Sequence, residues 1–186
     1  RLFKFIWDLS NILFLFIKEI MENIQNQKEK KIILEGLSTE TRNPDTINLD
    51  EMTSLEIVQA MNKEDSKVPW IISQLLPQIA KVVDIAEETL KKKGRIFYMG
   101  AGTSGRLGVV DSSECPPTFN ASPNDFIGLI AGGEKAFIKA VEGAEDSEDL
   151  SKQDLINRNF SKNDIWIGLA ASGRTPYVIG GLKYAK

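Results

Sequence analysis

The pattern of apolar and polar positions divides the chain into a helical first part and a second part in which strands and helices alternate. Between residues 72 and 90, apolar side chains recur at steps of three and four, which is typical of one face of a helix. Short apolar runs follow at 96–99, 126–130 and 164–169, each of a length that suits a buried strand. Helical patterns separate these runs, so the sequence predicts an α/β fold with a doubly wound parallel sheet.

The helices of the first part carry clear start and stop signals. Thr53 and Glu56 form a capping box, which predicts the start of a short helix. A longer helix follows, with Pro69 near its first turn, and we expect Pro77 to bend it without breaking it. The stretch 91–94, three lysines and a glycine, predicts its end, because cations and then glycine favour a helix C-terminus.

The composition changes along the chain and predicts four segments. Residues 1–20 form an atypical apolar leader, too short in its apolar run for a membrane helix and without a signal-peptide cleavage site. Met21 is a plausible start, so the leader is either sequence before the native start or an amphipathic helix. Residues 21–50 are an extended polar arm, either a disordered leader or a segment that wraps a partner subunit. Residues 51–94 form N-terminal helices, and 95–186 form a sheet domain that is truncated, since few strands are visible.

Composition also restricts the chemistry. The chain has no histidine, which excludes Ser-His-Asp and Cys-His catalysis and a histidine-based zinc site within it. Proton transfer would fall to carboxylates, lysine, tyrosine or cysteine. The net charge of −3 offers no basic field for nucleic acid. The single cysteine, Cys115, excludes an intrachain disulfide and fits a reducing cytoplasm.

The loop after the first predicted strand, at residues 100–108, reads GAGTSGRLG. Glycines there would let the backbone approach a ligand, and a helix N-terminus would present free N–H groups to an anion. The G-x-G-x-x-G spacing fits a dinucleotide, which also requires an acidic residue at the end of the second strand. That strand runs instead into Ile-Ala-Gly-Gly at 130–133, and Asp125 lies before it, on the wrong side.

A phosphosugar explains the hydroxyl groups of this loop better. Thr103 and Ser104 can donate hydrogen bonds to phosphate oxygens, and a similar hydroxyl-glycine stretch at 172–175 follows the third strand. Because both loops follow strands of a parallel sheet, we expect them at one edge, as a cradle for one anion. The alternative is that these hydroxyls only cap helices. The candidate substrate-binding residues are Gly102, Thr103, Ser104, Gly105, Ser172, Gly173 and Thr175.

Two glutamates are the candidate acids and bases. Glu114 lies in a Glu-Cys-Pro-Pro stretch that we interpret as a stiff turn, and Glu145 comes just after a helix predicted over 134–142. On spacing alone, both could equally be surface acids. Cys115 has no histidine to activate it and adjoins a carboxylate, which would raise its pKa, so we favour a packing role for it.

Three long stretches closely resemble the N-acetylmuramic acid 6-phosphate etherases, a family of sugar-isomerase-type (SIS) domain proteins to which the glucokinase regulatory protein is more distantly related. They read GAGTSGRLGVVDSSECPPTF, GLIAGGEKAFIKAVEGAEDS and IGLAASGRTPYVIGGLKYA. The upstream STETRNP and VPWIISQLLPQIAKVVD are also similar, so the likeness runs from about residue 34 to the end. Because the family continues beyond Lys186, the chain looks like its N-terminal portion.

The resemblance implies cleavage of the D-lactyl ether of N-acetylmuramic acid 6-phosphate to N-acetylglucosamine 6-phosphate and D-lactate. It assigns Glu114 as the proton donor to the leaving lactate and Glu145 as the second acid/base, which suits removal of the proton at C2. We expect Glu114 to be partly buried.

The resemblance further implies a cytoplasmic homodimer with sites near the subunit interface, a role in peptidoglycan recycling, and no metal or other cofactor. Nucleic acid and membrane partners are not expected. The rival interpretations are a phosphosugar-binding regulator without catalysis and a phosphosugar isomerase on the same fold. The presence of both Glu114 and Glu145 favours the enzyme.

Overall fold

The computed structural model describes residues 41–186. The apolar leader predicted at 1–20 therefore lies outside the described residues, and so does most of the arm predicted at 21–50. The chain divides into two units, one ending at Glu51 and one beginning at Met52, which are described separately.

The described part of the first unit consists of two short turns of 3-10 helix, Pro44–Thr46 and Leu49–Glu51. Asn43 caps the first turn, because its side-chain oxygen accepts the backbone N–H of Asp45 at 2.8 Å. A proline directly after this cap suits the first helical position, where no N–H is required. These ten described residues of the arm are therefore locally ordered turns.

The second unit contains seven α-helices, three strands and one further 3-10 helix. In chain order they are α1 Ser54–Asp65, α2 Lys67–Ser73, α3 Leu76–Lys91, β1 Ile96–Gly100, α4 Gly102–Phe119, β2 Phe126–Ile130, α5 Glu134–Ile138, the 3-10 helix Ala144–Asp146, α6 Glu148–Asn157, β3 Ile165–Leu169 and α7 Pro176–Ala185. Among the helices of residues 41–186, none combines the length and the hydropathy that crossing a bilayer requires.

The first helices confirm one prediction and correct another. The capping box is present, with the Glu56 carboxylate accepting the Thr53 N–H at 2.8 Å, and it starts α1. The prediction of one bent helix across Pro77 is wrong, because α2 ends at Ser73 and α3 begins anew at Leu76. Proline has no N–H to donate to the carbonyl of Ser73, and its ring would clash there. It occupies instead the first turn of α3.

The three strands form a parallel sheet in the order β2-β1-β3. Ile96 of the central strand is in register with Phe126 on one side and with Ile165 on the other. The predicted strands are thus confirmed, as is their parallel arrangement. All three carboxyl ends lie at one edge, which is where the loops predicted to bind the substrate begin.

Helices cover both faces of this sheet, which is the doubly wound arrangement predicted. Phe97 and Met99 point to one face and pack with Leu155 of α6 and Tyr177 of α7, all of them fully buried. Tyr98 points to the opposite face because side chains alternate along a strand. There α4 approaches so closely that a Cβ on Gly108 would lie 2.9 Å from the Tyr98 Cβ.

Two features between β2 and β3 differ from the sequence-based expectation. The helix predicted over 134–142 ends at Ile138, and residue 139 is extended. Helix α6 was not predicted, although Ser147 caps it by accepting the Leu150 N–H on its hydroxyl. Its apolar positions are few, so its helical period is weak, and its core contact Leu155 is what secures it.

Candidate active site

The loop between β1 and α4 turns sharply because glycine occupies its critical positions. Gly102 has φ 55°, in the left-handed region that disfavours a side chain. Gly105 lies against the end of β1, where a Cβ would stand 2.5 Å from the carbonyl oxygen of Gly100. The first turn of α4 is therefore held against the strand end, with its N-terminus at the carboxyl edge of the sheet.

The hydroxyl groups of this loop are not used as helix caps. Helix α4 is preceded by Ala101, and no side-chain cap hydrogen bond is present at its start. Thr103 and Ser104 lie in its first turn, where backbone N–H groups have no intrahelical partner. This arrangement leaves both N–H groups and hydroxyls for an anion, and capping does not explain these two residues.

The second hydroxyl loop lies beside the first. Because β1 and β3 are paired in parallel, the strand ends Gly100 and Leu169 are directly opposite each other. Thr175 precedes α7 without a side-chain cap hydrogen bond, whereas the Ser172 hydroxyl accepts the Arg174 N–H at 3.2 Å. The expectation that both loops share one edge is confirmed. For Ser172, however, a role in shaping its own loop is also visible.

A cavity of about 160 Å³ opens next to the start of α4. It brings together Gly102 and Glu145, which are 43 positions apart in the sequence. Two further polar residues, Arg106 and Glu142, lie on its wall. The remaining lining consists of small and apolar residues: Ala101, Ala131, Ala136, Ala140, Val141, Gly143 and Ala144.

Glu145 is held at this cavity by its neighbours in the chain. Gly143 takes a left-handed conformation, with φ 74°, and the 3-10 helix Ala144–Asp146 follows. Ala144 is buried in the core cluster, and its packing fixes the backbone that carries the exposed Glu145 next to it. A carboxylate in this position can accept or donate a proton at a molecule bound in the cavity.

Glu114 is not part of this cavity. It lies on α4, twelve residues beyond Gly102, or about 18 Å along the axis at the usual rise. It is exposed, so the expected partial burial is not observed in this chain. A single copy therefore does not bring the two predicted catalytic glutamates together.

The Glu-Cys-Pro-Pro stretch is helical, which corrects the predicted turn. Pro116 and Pro117 lie in the last turn of α4, where they donate nothing to the carbonyls of Ser112 and Ser113. The helix ends at Phe119, and the next residue, Asn120, has a left-handed backbone and donates its N–H to the Pro116 carbonyl at 2.9 Å. The prolines thus weaken the last turn without removing it.

Cys115 lies on the buried side of α4. Burial raises the pKa of its thiol, and the nearby Asp111 carboxylate raises it further. The predicted rise in the pKa of the thiol is therefore confirmed. The carboxylate that contributes to it is Asp111, however, and not the adjacent Glu114. A protonated, buried thiol fits the packing role.

The dinucleotide interpretation finds no support at the second strand. The backbone carbonyl of Asp125 accepts the Ile96 N–H at 2.8 Å, at the amino edge of the sheet. Its carboxylate accepts the Ser122 N–H, which closes the turn before β2. Asp125 therefore lies at the edge opposite to the glycine loops and serves a turn.

Sequence reasoning missed two residues on the cavity wall, Arg106 and Glu142. Both were present in the stretches that carried the resemblance. The one clue in the sequence was that each lies close to a predicted site residue. Arg106 is one turn beyond Gly102, and Glu142 is three residues before Glu145. Neither forms a recognisable short motif, and only the folded chain brings them to one wall.

Comparisons with known proteins agree with the fold. A family model described as "Glucokinase regulatory protein N-terminal SIS domain" matches residues 78–186. The N-acetylmuramic acid 6-phosphate etherase of Halalkalibacterium halodurans is 58% identical over 153 residues, which are 82% of this chain and 51% of that protein.

Two further curated relatives give nearly the same values. The etherase of the same name from Clostridium beijerinckii is 56% identical over 152 residues, covering 82% of this chain and 50% of its own length. The one from Lactococcus lactis subsp. cremoris is 57% identical over 155 residues, covering 83% and 52%. The chain spans about half the length of the curated relatives it matches.

Proposed function

The chain belongs to the SIS-domain family represented by the N-terminal SIS domain of the glucokinase regulatory protein, and we propose that it acts in an N-acetylmuramic acid 6-phosphate etherase. This enzyme would cleave the D-lactyl ether of its substrate to N-acetylglucosamine 6-phosphate and D-lactate. The proposal includes a cytoplasmic role in the recycling of cell-wall amino sugars. The relatives named above, at 56–58% identity, support it.

One observation of the structure carries the proposal: a carboxylate, Glu145, lies on the same small cavity as the start of α4. The helix N-terminus and the hydroxyls of Thr103 and Ser104 supply the groups that a phosphate requires. A proton acceptor beside an anion cradle suits chemistry on a phosphorylated sugar. The second loop, at 172–175, would complete the cradle from the neighbouring strand.

The reaction that fits these groups is an elimination followed by addition of water. In the open-chain sugar, the C1 aldehyde acidifies the C2 proton, which Glu145 removes. The C3–O bond then breaks, and the leaving lactate takes a proton from the glutamic acid form of Glu114. Water adds to C3 of the resulting alkene, and C2 regains a proton, so no electrons are gained or lost overall.

The position of Glu114 supports a homodimeric site. In one copy it lies about 18 Å along α4 from the start of that helix, too far to act on the same bond as Glu145. The same outer face of α4 exposes Leu107 and Val110, at 63% and 44%, and these apolar side chains suit contact with another subunit. We propose that each site combines Glu145 of one subunit with Glu114 of its partner.

Lactate release from N-acetylmuramic acid 6-phosphate tests the function directly in the full-length protein. In heavy water, elimination and addition would leave deuterium at C2 of the product. Release of lactate together with a sugar product that carries no deuterium at C2 would contradict the mechanism. Isomerisation without lactate would indicate a phosphosugar isomerase, and binding without turnover a regulator.

Mixing two inactive variants tests the shared site. Glu114→Gln and Glu145→Gln should each abolish lactate release and leave phosphosugar binding largely intact. Mixed dimers contain one site with both glutamates, so co-refolded variants should regain part of the activity. If the mixture stays inactive while mixed dimers form, the two glutamates do not come from different subunits.

The phosphate cradle has its own test. Ser104→Ala should raise the Michaelis constant for the phosphosugar, because one donor to the phosphate is lost, while kcat changes less. Ser122→Ala, a serine in the turn at the amino edge, is the matched control. An unchanged Michaelis constant for Ser104→Ala would remove Ser104 from the phosphate site.

A further inference from the structure

Helix α5 ends earlier than its sequence favours. It stops at Ile138, although the next residues, Lys-Ala-Val-Glu at 139–142, contain good helix formers and no glycine or proline. If the helix continued, the carbonyls of Ala136 and Phe137 would accept hydrogen bonds from the N–H groups of residues 140 and 141. Something outside the local sequence therefore ends this helix.

The guanidinium of Arg106 occupies those two carbonyls. Its Nη2 donates to the Ala136 oxygen at 2.8 Å, and its Nε donates to the Phe137 oxygen at 2.8 Å. The side chain comes from the second turn of α4, 30 positions earlier in the chain. Two charged donors in a fixed fork thus replace two backbone hydrogen bonds of a longer helix.

This replacement decides where the following residues go. Freed from the helix at residue 139, the chain lines the cavity with Ala140, Val141 and Glu142 and turns at Gly143. A continued helix would carry residues 140–142 away along its axis, and Glu145 would not reach the same wall. The start of α4 and the carboxylate are therefore linked through one side chain.

We propose that Arg106 is a positioning residue of the active site: by holding the carbonyls of Ala136 and Phe137, it ends α5 and sets Glu145 against the start of α4. This inference deepens the proposed function, on which the role of Glu145 as acid/base rests. Arg106 acts on that carboxylate through the backbone of 139–145 and needs no contact with the substrate.

The test is Arg106→Lys in the full-length protein. Lysine keeps the positive charge but presents a single ammonium group, which does not reproduce the planar fork on two carbonyls. Displacing a catalytic group by about 1 Å costs on the order of 10²-fold in rate, so kcat should fall by about that factor. KM should change less than kcat, and amide hydrogen exchange should become faster at residues 139–145.

Arg95→Lys is the matched control. Arg95 also donates two hydrogen bonds to carbonyls, those of Arg158 and Asn159, at 3.0 and 2.8 Å, but at the amino edge of the sheet. It should lower the melting temperature and leave kcat unchanged. The same kcat for wild type and Arg106→Lys, or unchanged exchange at 139–145, would overturn the inference.

Failure of the function and failure of the inference remain distinguishable. If the wild-type protein releases no lactate, the proposed function fails, while the exchange at 139–145 still reports whether Arg106 holds this segment. If Arg106→Lys and Arg95→Lys lower both stability and kcat to the same extent, Arg106 is only a structural residue. A selective loss of kcat supports the positioning role.

Discussion

The helices α1–α3 and the sheet domain that follows them both carry many apolar side chains, but only the sheet domain contains fully buried ones. None of the residues of α1, α2 or α3 is fully buried, and Trp70 of α2 is 69% exposed. In the sheet domain, Phe97, Leu155 and Tyr177 are all at 0%. Of α3, only the C-terminal stretch near residues 85–90 is partly covered.

This contrast teaches that an amphipathic period identifies an apolar face without identifying what covers it. Helix α3 has the stripe expected of a packed helix, yet Val82 and Val83 are 49% and 59% exposed. In the sheet domain, the core side chains of β1 pack against those of α6 and α7, because strands and helices are layered. Among residues 41–186, stability should therefore depend mainly on the sheet domain.

The sharpest test of the contrast compares two aromatic truncations in the 186-residue chain. Phe97→Ala should cost about 3–5 kcal/mol of unfolding free energy, because it leaves a cavity beside the Phe160 ring, 5.2 Å away between centroids. Trp70→Ala should change it by no more than about 0.5 kcal/mol, as for other exposed sites. Both are measured by denaturant titration. A large loss for Trp70→Ala would mean that α2 is covered in solution.

A smaller effect is expected from the buried hydroxyl of Tyr177. It donates to the Asp154 carboxylate at 2.7 Å, and a hydrogen bond to a charged group contributes about 1.5–3 kcal/mol. Tyr177→Phe should lose about that much, whereas Tyr184→Phe, on the exposed side of the same helix, should lose almost nothing. Equal losses would mean that the Asp154 contact adds no stability.

The same tyrosine predicts how stability depends on alkaline pH. Burial, together with the hydrogen bond and charge of Asp154, raises the pKa of Tyr177 above its ordinary 10.0, and burial raises the pKa of Tyr98 to about 12. Above pH 10 the unfolded chain loses these protons first, so the stability is complete below pH 10 and falls as pH rises further. Tyr177→Phe should make this fall less steep in thermal melts. An unchanged slope would contradict the assignment.

The smallest effect should be confined to α1. Thr53→Ala removes the hydroxyl that accepts the Glu56 N–H, so the first turn of α1 should exchange its amide protons roughly fivefold faster, the usual size of a lost cap. Because α1 buries no residue, the global unfolding midpoint should stay the same. A shift of that midpoint would show that α1 unfolds together with the sheet domain, which would break the contrast.

Local signals predicted the start of α1, the three strands and the glycines of the first loop. The capping box at Thr53 and Glu56 started α1 as expected, and the three apolar runs became β1, β2 and β3 almost to the residue. Gly102 and Gly105 in the first loop also proved necessary, because one takes a positive φ and the other lies against a strand end. The cap and the first loop depend on neighbours close in the chain, whereas each strand was recognisable from its own apolar run although its pairing partners are distant.

Sequence patterns were less informative where a partner far away in the sequence sets a residue's role. Helix α3 ends at Lys91, within the predicted stretch 91–94, but the left-handed residue after it is Lys93, with φ 65°, and not the glycine. Gly94 is needed for another reason, since a Cβ on it would lie 1.8 Å from the Asn163 carbonyl oxygen. No sequence pattern around residue 94 indicates that residue 163 packs against it in the fold.

The amino-acid sequence by itself determined the alternation of strands and helices, the two hydroxyl-glycine loops and the kinds of groups available for proton transfer. Only the tertiary structure decided that α5 stops at Ile138, that Glu145 shares a cavity with Gly102, and that Glu114 stays far along its helix. The reason is that periodicity records which side chains share one face of a helix or strand, and not which distant residue meets them. The carbonyls of Ala136 and Phe137 accept hydrogen bonds from Arg106, which lies 30 and 31 residues earlier, and only the fold supplies such a partner.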